Sequence, residues 1–437
     1  MTKLRTFPGG VHPDEYKELA GKAAIRRIKA PETVRVALCQ HLGAPSKPVV
    51  AKGDKVVRGQ EIGSQNGYVS LPTHSPVTGT VAGLEEMPLP HRRSGLAVVI
   101  ETDSEDGPPP FEPWPDFTSR TPAEIIERIR LAGICGMGGA SFPTHVKLSP
   151  PDGKRIDTLI LNGAECEPYL TADHRLMVER TADVVLGMKI MAFVLGVERC
   201  AVGIEENKPD AIAALSGAGV DVEVLKVKYP QGSEKQLIKA ITGREVPVGG
   251  LPLDIGVVVP NVGTAAAVAQ AVRDGEPSIR RIVTVSGAGV RAPGNFDAAV
   301  GTPFHDLIAE AGGYAGDVCR LLSGGPMMGI AQFTDAVPVT KGTSGIVALT
   351  TAEARKLTEG PCIKCGRCVD ACPMKLLPCL IAANAEKEKW DRAEELGALN
   401  CMACGTCSFV CPSDRFLVHY IKRAQDAIRA AKRSKEA

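Results

Sequence analysis

Two short runs toward the C-terminal end constrain this chain more than anything else in it. CIKCGRCVDACP places Cys362, Cys365, Cys368 and Cys372 ahead of Pro373, and CMACGTCSFVCP places Cys401, Cys404, Cys407 and Cys411 ahead of Pro412. Each run has the form C-x2-C-x2-C-x3-C-P. Three thiolates at this spacing wrap one iron–sulfur cube, and the fourth, set off by an extra residue and a proline, points toward the other cube. The expected ligand sets therefore cross. Cys362, Cys365 and Cys368 with Cys411 form one, and Cys401, Cys404 and Cys407 with Cys372 form the other, for two 4Fe–4S clusters. A structural zinc site needs only paired CxxC units and leaves the third cysteine of each triplet without a role. The other six of the 14 cysteines, at 39, 135, 166, 200, 319 and 379, follow no pattern, which argues against a disulfide framework and for a reducing compartment.

Composition narrows the function class. With 437 residues the chain has room for two to four domains. Its 51 basic and 50 acidic residues nearly cancel, so no basic field invites nucleic acid. The most apolar window, from Asp183 to Cys200, is interrupted by Lys189 and too short to span a bilayer, and the first ten residues lack the apolar core of a signal peptide. Any membrane association is expected to be peripheral.

Each cluster takes one electron at a time, so the remainder of the chain is expected to supply a donor, an acceptor or a cofactor that changes the electron count. GICGMGGASFPTHVKL, residues 133 to 148, is the first place to look. It is not a P-loop, because no GK[ST] follows, and it follows a helical stretch (Pro122 to Ile134) rather than a strand, which removes the dinucleotide fingerprint. The glycines alone fit a turn as well as a phosphate loop. Two further segments bear on the choice. IDTLIL, 156 to 161, reads as a buried strand running into the acidic NGAECEP, and a second strand, Ile255 to Val259, turns at Pro260 to Thr264 into an alanine-rich helix. Strand ends and helix N-termini of this kind are where open α/β sheets bind phosphate-bearing ligands.

These segments carry a family resemblance. GMGGASFPTHVKL, NGAECEP, YPQGSEKQLIKAITG (Tyr229 to Gly243) and PNVGTAA occur in the order found in the flavin-binding, NADH-oxidising subunit of respiratory complex I, and the chain resembles that family. FPGGVHPDEYKELA (Phe7 to Ala20) and the paired cysteine runs are similar to the RnfC family, a subunit of the Rnf electron-transport complexes. The resemblance implies FMN and NAD(H). In that reading Gly136, Gly138, Gly139 and Ala140 let the backbone approach the flavin, and Lys147 supplies charge beside it. Phe142 stacks on the dinucleotide, and Asn162, Glu165 and Glu167 line the cleft. Tyr229, Gly232 and Glu234 close its other side, and Asn261 and Thr264 bond the flavin tail. Three positions depart from the complex I pattern: Met137 replaces an arginine, Ala164 an aspartate and Ser233 a glutamate. The implied function is an electron-transfer subunit of a membrane-associated, ion-translocating NAD(H):ferredoxin oxidoreductase. The implied partners are the other subunits of that complex, with ferredoxin reached through one of them, at the cytoplasmic face of a bacterial inner membrane. Two other readings stand beside it: an electron-relay or assembly subunit without NADH oxidation, and a cobalamin-reductase-like flavoprotein.

The expected architecture is multidomain α/β and α+β. A leader and lipoyl-like barrel-sandwich module occupies 1–104, a proline-rich linker 105–120, and the FMN/NAD-binding α/β domain 121–277. A soluble-ligand-binding β-grasp (SLBB) module at 278–350 is implied by the resemblance, and an α-helical ferredoxin domain with a basic C-terminal helix takes 355–437. The lipoyl-like segment, 48 to 86, carries His74 and Ser75 where true lipoyl domains carry the modified lysine, so a structural or docking role is expected. The histidines show no metal-binding spacing, and Cys135 and Cys166 are expected to be buried thiols.

Overall fold

The computed structural model describes residues 4–354 and 356–436. The barrel-sandwich module pairs a four-stranded sheet with a three-stranded one. Thr33–Ala37, Arg92–Ser104, Thr78–Leu89 and Lys55–Val56 form the first, and Lys47–Pro48, Glu61–Ser64 and Thr73–His74 the second. Alternating inward residues, among them Val34, Val36, Ile62, Val81, Val98 and Ile100, fill the space between. His74 and Ser75, at the position of a lipoyl lysine, are buried rather than presented at a tip, and His74 faces Phe111 edge-on. No group could be carried there.

The α/β domain is built on four parallel strands in the order Val222–Leu225, Arg199–Glu205, Thr158–Asn162, Val257–Val258. Thr158–Asn162 comes first in the chain, two later strands add on one side of it, and the last adds on the other. Strand order therefore reverses between Thr158–Asn162 and Val257–Val258, and the crevice beyond their carboxyl ends is where such sheets bind ligands. The loops starting at Asn162 and Pro260 flank that crevice, joined by a bond of 2.8 Å from the Asn162 amide to the Pro260 carbonyl. The helix predicted for 122–134 runs Pro122–Leu131. Thr121 caps it and Glu124 reaches back, so both orphan amides are satisfied. Most of the most apolar window lies in the helix Thr181–Leu195, which buries one face, Val184 to Met191, against Val262–Ala269. No helix among the described residues is long and apolar enough to cross a membrane.

The third module is a six-stranded mixed sheet with the helix Phe304–Glu310 on it. One edge strand is Ile25–Arg27, which pairs in parallel with Gly294–Ala299. The leader thus belongs to this sheet rather than to the barrel-sandwich that follows it in sequence. Nor is the proline-rich linker a free tether. The Trp114 amide donates to the Val272 carbonyl at 2.9 Å, and the buried Arg128 guanidinium lies 3.7 Å over the Trp114 ring, so the segment straps onto the α/β core. Among the described residues the ferredoxin region has five α-helices, of which Pro378–Glu386, Trp390–Glu395 and Leu417–Glu436 pack around Ile381, Ala385, Ala393, Ile421, Ala424 and Ile428. Its last helix, Leu417–Glu436, turns its apolar stripe inward, and Ala437 lies outside the described residues.

One contact fixes how closely the helices of the α/β domain approach. A Cβ on Gly187 would stand 1.8 Å from the Ala265 carbonyl oxygen. Gly187→Ala is expected to force Val262–Ala269 outward and to cost about 1–3 kcal/mol of stability, read by denaturant unfolding.

Candidate flavin and cluster sites at one junction

The glycine loop is a closed turn with an open tip. Its base is fastened by the Gly136 amide donating to the Phe142 carbonyl (2.8 Å) and the Thr144 amide to the Ile134 carbonyl (3.0 Å). Its tip, Gly138 to Ala140, is exposed, and among the described residues no protein group accepts from those three amides. Gly139 sits at φ +105° with nothing within 4 Å of the place a Cβ would occupy. A row of unpaired amides over open space beside a helix N-terminus is a cradle for an anionic group. The residues present therefore fit a flavin phosphate.

Met137, inside the loop, is held on both sides. Its amide donates to Thr264 Oγ1 at 2.9 Å, and its carbonyl accepts from Arg281 Nη2 at 2.8 Å. Arg281 is buried, comes from the strand Arg280–Ser286 of the SLBB module, and also donates to the Thr343 carbonyl. Met137 occupies the place of a loop arginine in the complex I pattern, and a guanidinium is supplied there from another module. Asn261 caps its helix by accepting from the Gly263 amide (2.7 Å) and donates through Nδ2 to Asp173 Oδ2 (2.7 Å). Asn162 donates to the Gly232 carbonyl at 2.7 Å, which joins the two sides of the crevice. Lys147 and Glu234 meet at 2.6 Å, and Lys147 also reaches the Val259 carbonyl. Phe142, whose carbonyl closes the base of the glycine loop, is half-buried.

The two acids of NGAECEP do different work from a shared lining. Glu165 accepts from the amides of Asp173 (2.7 Å) and His174 (3.3 Å) and so anchors the helix Ala172–Glu179. Glu167 accepts from the amides of Met327 (3.1 Å) and Met328 (2.8 Å), gripping the SLBB loop. Burial pushes Glu167 up to about 7 and Asp173 up to about 6; for Asp173 the nearby Glu165 adds to this. Cys166 is drawn in as well, its Sγ accepting from the Gly232 amide at 3.2 Å. Asp173 and Arg281 escape a reading of motifs. Asp173 could have been found as the acid opening a helix just after NGAECEP; Arg281 carries no sequence signal, because RRIVTV reads as an ordinary strand.

Tyr229 is 1 % exposed, and its hydroxyl donates to the Cys404 carbonyl at 2.7 Å. The flavin side of the molecule thereby touches one of the two thiol sets. Cys372, Cys401, Cys404 and Cys407 line a single small cavity, together with Pro373, Thr406 and Ile421. Burial pushes Cys407 up, and the neighbours that push it further are Cys401, Cys404 and Cys372, the crossed set that the spacing predicts. Amides of Leu376 and Ala403 point at the sulfurs of Cys372 and Cys401, each at 3.4 Å. In the second set, Cys362 and Cys365 are exposed, Cys368 is buried and Cys411 half-buried, and the Cys368 thiol hydrogen-bonds that of the unpatterned Cys379, both free.

Comparison with known proteins separates the modules in the same order. Residues 5–105 match the RnfC barrel sandwich hybrid domain and 129–270 the Nuo51 FMN-binding domain. Residues 282–331 match the SLBB domain and 361–415 a 4Fe-4S dicluster domain. The chain is 45 % identical over 437 residues to the C subunit of the Na+-translocating ferredoxin:NAD+ oxidoreductase complex of Acetobacterium woodii, covering 99 % of each. The chain belongs to the RnfC family. A relative from the proton-translocating complex of Clostridium ljungdahlii is 44 % identical, covering 98 % of this chain and 95 % of the relative. The corresponding subunit of the ion-translocating oxidoreductase complex of Rhodobacter capsulatus is 44 % identical, covering 90 % and 77 %. The fold is shared with an NAD+-reducing NiFe hydrogenase in its H2-reduced state, with a TM-score of 0.51 at 20 % identity, covering 76 % of this chain and 70 % of that one.

The carboxyl of Glu167 has a consequence for pH. Its ordinary value of 4.5 is raised in the folded chain, so the native state holds a proton that the unfolded state has already lost. Stability is therefore fully present below about 4.5 and falls as pH climbs toward 7. Between pH 5 and 8 this subunit is expected to lose about 1–2 kcal/mol through the half-buried Glu167, and Glu167→Gln to flatten that part of the profile, measured by denaturant midpoints across the range.

Proposed function

We propose that this subunit exchanges hydride with NAD(H) at FMN held in the switch-point crevice and passes single electrons to two 4Fe–4S clusters. The observation that carries the reading is the hydrogen bond from Tyr229 to Cys404, which puts the crevice and the crossed thiol set on the two sides of one buried contact. FMN, when bound, supplies the change in electron count, taking a hydride and giving its electrons up singly. The protein's task is then to bind, orient and exclude water. The open amides of Gly138 to Ala140 receive the phosphate, with Thr264 and Arg281 bonding the loop at Met137 and the Asn261 side chain packed against Gly138. Asn162, Gly232 and the Lys147–Glu234 pair form the rim toward the dinucleotide, and Phe142 offers an aromatic face beside it. Glu165 and Glu167 act one step back, by fixing a helix and the SLBB loop. No side chain need act as a general acid or base for hydride transfer.

Cys401, Cys404, Cys407 and Cys372 hold the cluster on the flavin side, and Cys362, Cys365, Cys368 and Cys411 the one whose ligands reach the surface, from which electrons leave for a partner subunit. In this reading the subunit sits peripherally, at the cytoplasmic face of a membrane complex that exchanges electrons with ferredoxin and moves ions elsewhere, and its membership of the RnfC family supports it.

Anaerobically reconstituted protein is expected to contain about eight iron and eight sulfide per chain. Cys372→Ser is expected to alter the cluster whose triplet begins at Cys401; loss of the sequence-adjacent cluster alone would refute the crossing. Gly139→Val is expected to abolish flavin retention and spare iron, because a branched side chain at φ +105° both strains the loop and fills the cradle. NADH is expected to bleach the flavin absorbance in a stopped-flow mixer under argon. Flavin that dithionite bleaches and NADH does not would leave only the relay function.

A further inference from the structure

The leader segment PGGVHPDEYK has no task in the proposed activity, yet it and the residues just before it are fastened to two domains by named backbone and side-chain bonds. It first runs along the α/β domain. The Lys226 amide donates to the Arg5 carbonyl at 3.0 Å, and Arg5 Nη1 to the Ile241 carbonyl at 2.6 Å. Lys228 donates to the Phe7 carbonyl at 2.9 Å and stands 4.6 Å over the Phe7 ring. Val11 and Tyr229 then exchange both backbone bonds, each at 2.8 Å. Farther on, Lys17 donates to the carbonyls of Glu167 and Leu170, and Tyr16 stacks on Tyr169 at 4.6 Å.

Between these two anchorages the segment crosses to the ferredoxin domain. The Gly10 amide donates at 2.9 Å to the carbonyl of Ala371, the residue before the crossed ligand Cys372. Gly9 and Gly10 lie at φ +78° and +82°. A Cβ on Gly9 would stand 2.9 Å from the Cys372 carbonyl oxygen, and one on Gly10 would stand 2.6 Å from the Tyr229 carbonyl oxygen. Three main chains are therefore brought close together, with the Lys228 and Phe7 side chains packed beside Gly10: the flavin-side loop at Tyr229, the glycine pair, and the cluster loop at Ala371–Cys372. Only glycine permits that approach. Side-chain bridges across this junction include Tyr229 to Cys404, Ser233 to Met402, and Gln236 to Pro373 and Met374.

We propose that Gly9 and Gly10 are positioning residues that set the separation between the flavin crevice and the cluster held by Cys372, Cys401, Cys404 and Cys407. The inference rests on the function proposed above. Electron transfer falls steeply with distance, so a strap that closes backbone against backbone sets the rate of the step without touching either redox group, and a shift of about 1 Å at such a junction has a large effect. The strap adds no bond-making step and needs no further reactant.

The test compares Gly9→Ala and Gly10→Ala with Gly53→Ala, a barrel-sandwich glycine at φ +94° with nothing within 4 Å of its Cβ position, which reproduces the backbone strain without the crowding. A milder variant, Lys228→Met, loosens the strap at Phe7 alone. All are purified anaerobically with flavin, iron and sulfide counted. On mixing with NADH, flavin bleaching is expected to keep its rate in all four. The later bleaching of the iron–sulfur absorbance is expected to slow by about ten-fold or more in Gly10→Ala and Gly9→Ala, less in Lys228→Met, and not in Gly53→Ala. In dithionite-reduced samples, one of the two cluster signals in the electron paramagnetic resonance spectrum is expected to shift while the other stays. Dithionite bypasses NADH, so this arm holds even if NADH fails to reduce the flavin, which would count against the proposed function alone. The proposal is overturned if cofactor-complete Gly10→Ala and Lys228→Met pass electrons to the clusters at the unmodified rate, or if flavin bleaching slows equally. It is also overturned if both leader-glycine variants lose flavin or iron while Lys228→Met, cofactor-complete, shows no slowing.

Discussion

Everything in this molecule that bears on electron transfer is organised around a small apolar junction in which the Tyr229 hydroxyl donates to the Cys404 carbonyl. Val11, Tyr229, Ala371 and Cys404 are buried together there, with Cys166, Met327, Met402 and Val410 against them. Four parts contribute: the leader sends Val11, the α/β domain Tyr229 and Cys166, the SLBB module Met327, and the ferredoxin domain the loops around Ala371 and Cys404. A hydrogen bond in such surroundings has no water to compete with, and leaving the Tyr229 hydroxyl unpaired would cost about 1–3 kcal/mol. The four parts can therefore be fastened through a contact of few residues.

The SLBB module braces the flavin side from behind. Arg281 grips the Met137 carbonyl, and Lys341, 1 % exposed, donates to the Gly133 carbonyl at 2.8 Å and the Pro72 carbonyl at 3.3 Å. Burial pushes Lys341 down to about 8. Two buried cations from one module thus bond the backbone just before the glycine cradle, and Lys341 draws in the barrel-sandwich as well. In return Glu167 accepts the Met327 and Met328 amides. Groups this costly to bury persist where each is hydrogen-bonded. Here the bonds they make hold in place a loop whose own tip is left unbonded.

Much of the chemistry was legible in the chain. Cys372 lies with Cys401, Cys404 and Cys407 around one cavity, and the local pattern C-x2-C-x2-C-x3-C-P is what made that grouping legible. The glycine tip, the strand end at Asn162 and the capped turn at Asn261 converge as the grammar of an open α/β sheet dictates. Glu165 and Glu167 were harder to place. Sequence order puts them at the mouth of the crevice, whereas their carboxylates are spent on backbone amides of a helix and of another module. The leader and the proline-rich linker were harder still, since PGGVHP and PPPFEPWP carry turn signals and no record of what they lie against.

What the sequence determined by itself is the set of local chemistries: two four-cysteine patterns, a glycine loop, strand-to-helix turns, and a helix too interrupted by charge to enter a bilayer. These follow from spacing, chirality and periodicity within a few residues. Only the tertiary structure decided which thiol set meets the flavin side, that Arg281 stands where a loop arginine is missing, that Ile25–Arg27 joins a sheet some 270 residues distant, as in the pairing of Ile25 with Asn295, and that Gly9 and Gly10 lie between Tyr229 and Cys372. Those outcomes depend on close approach of backbones far apart in the chain. Such approach is governed by burial and by which neighbour leaves room, and no local pattern encodes it.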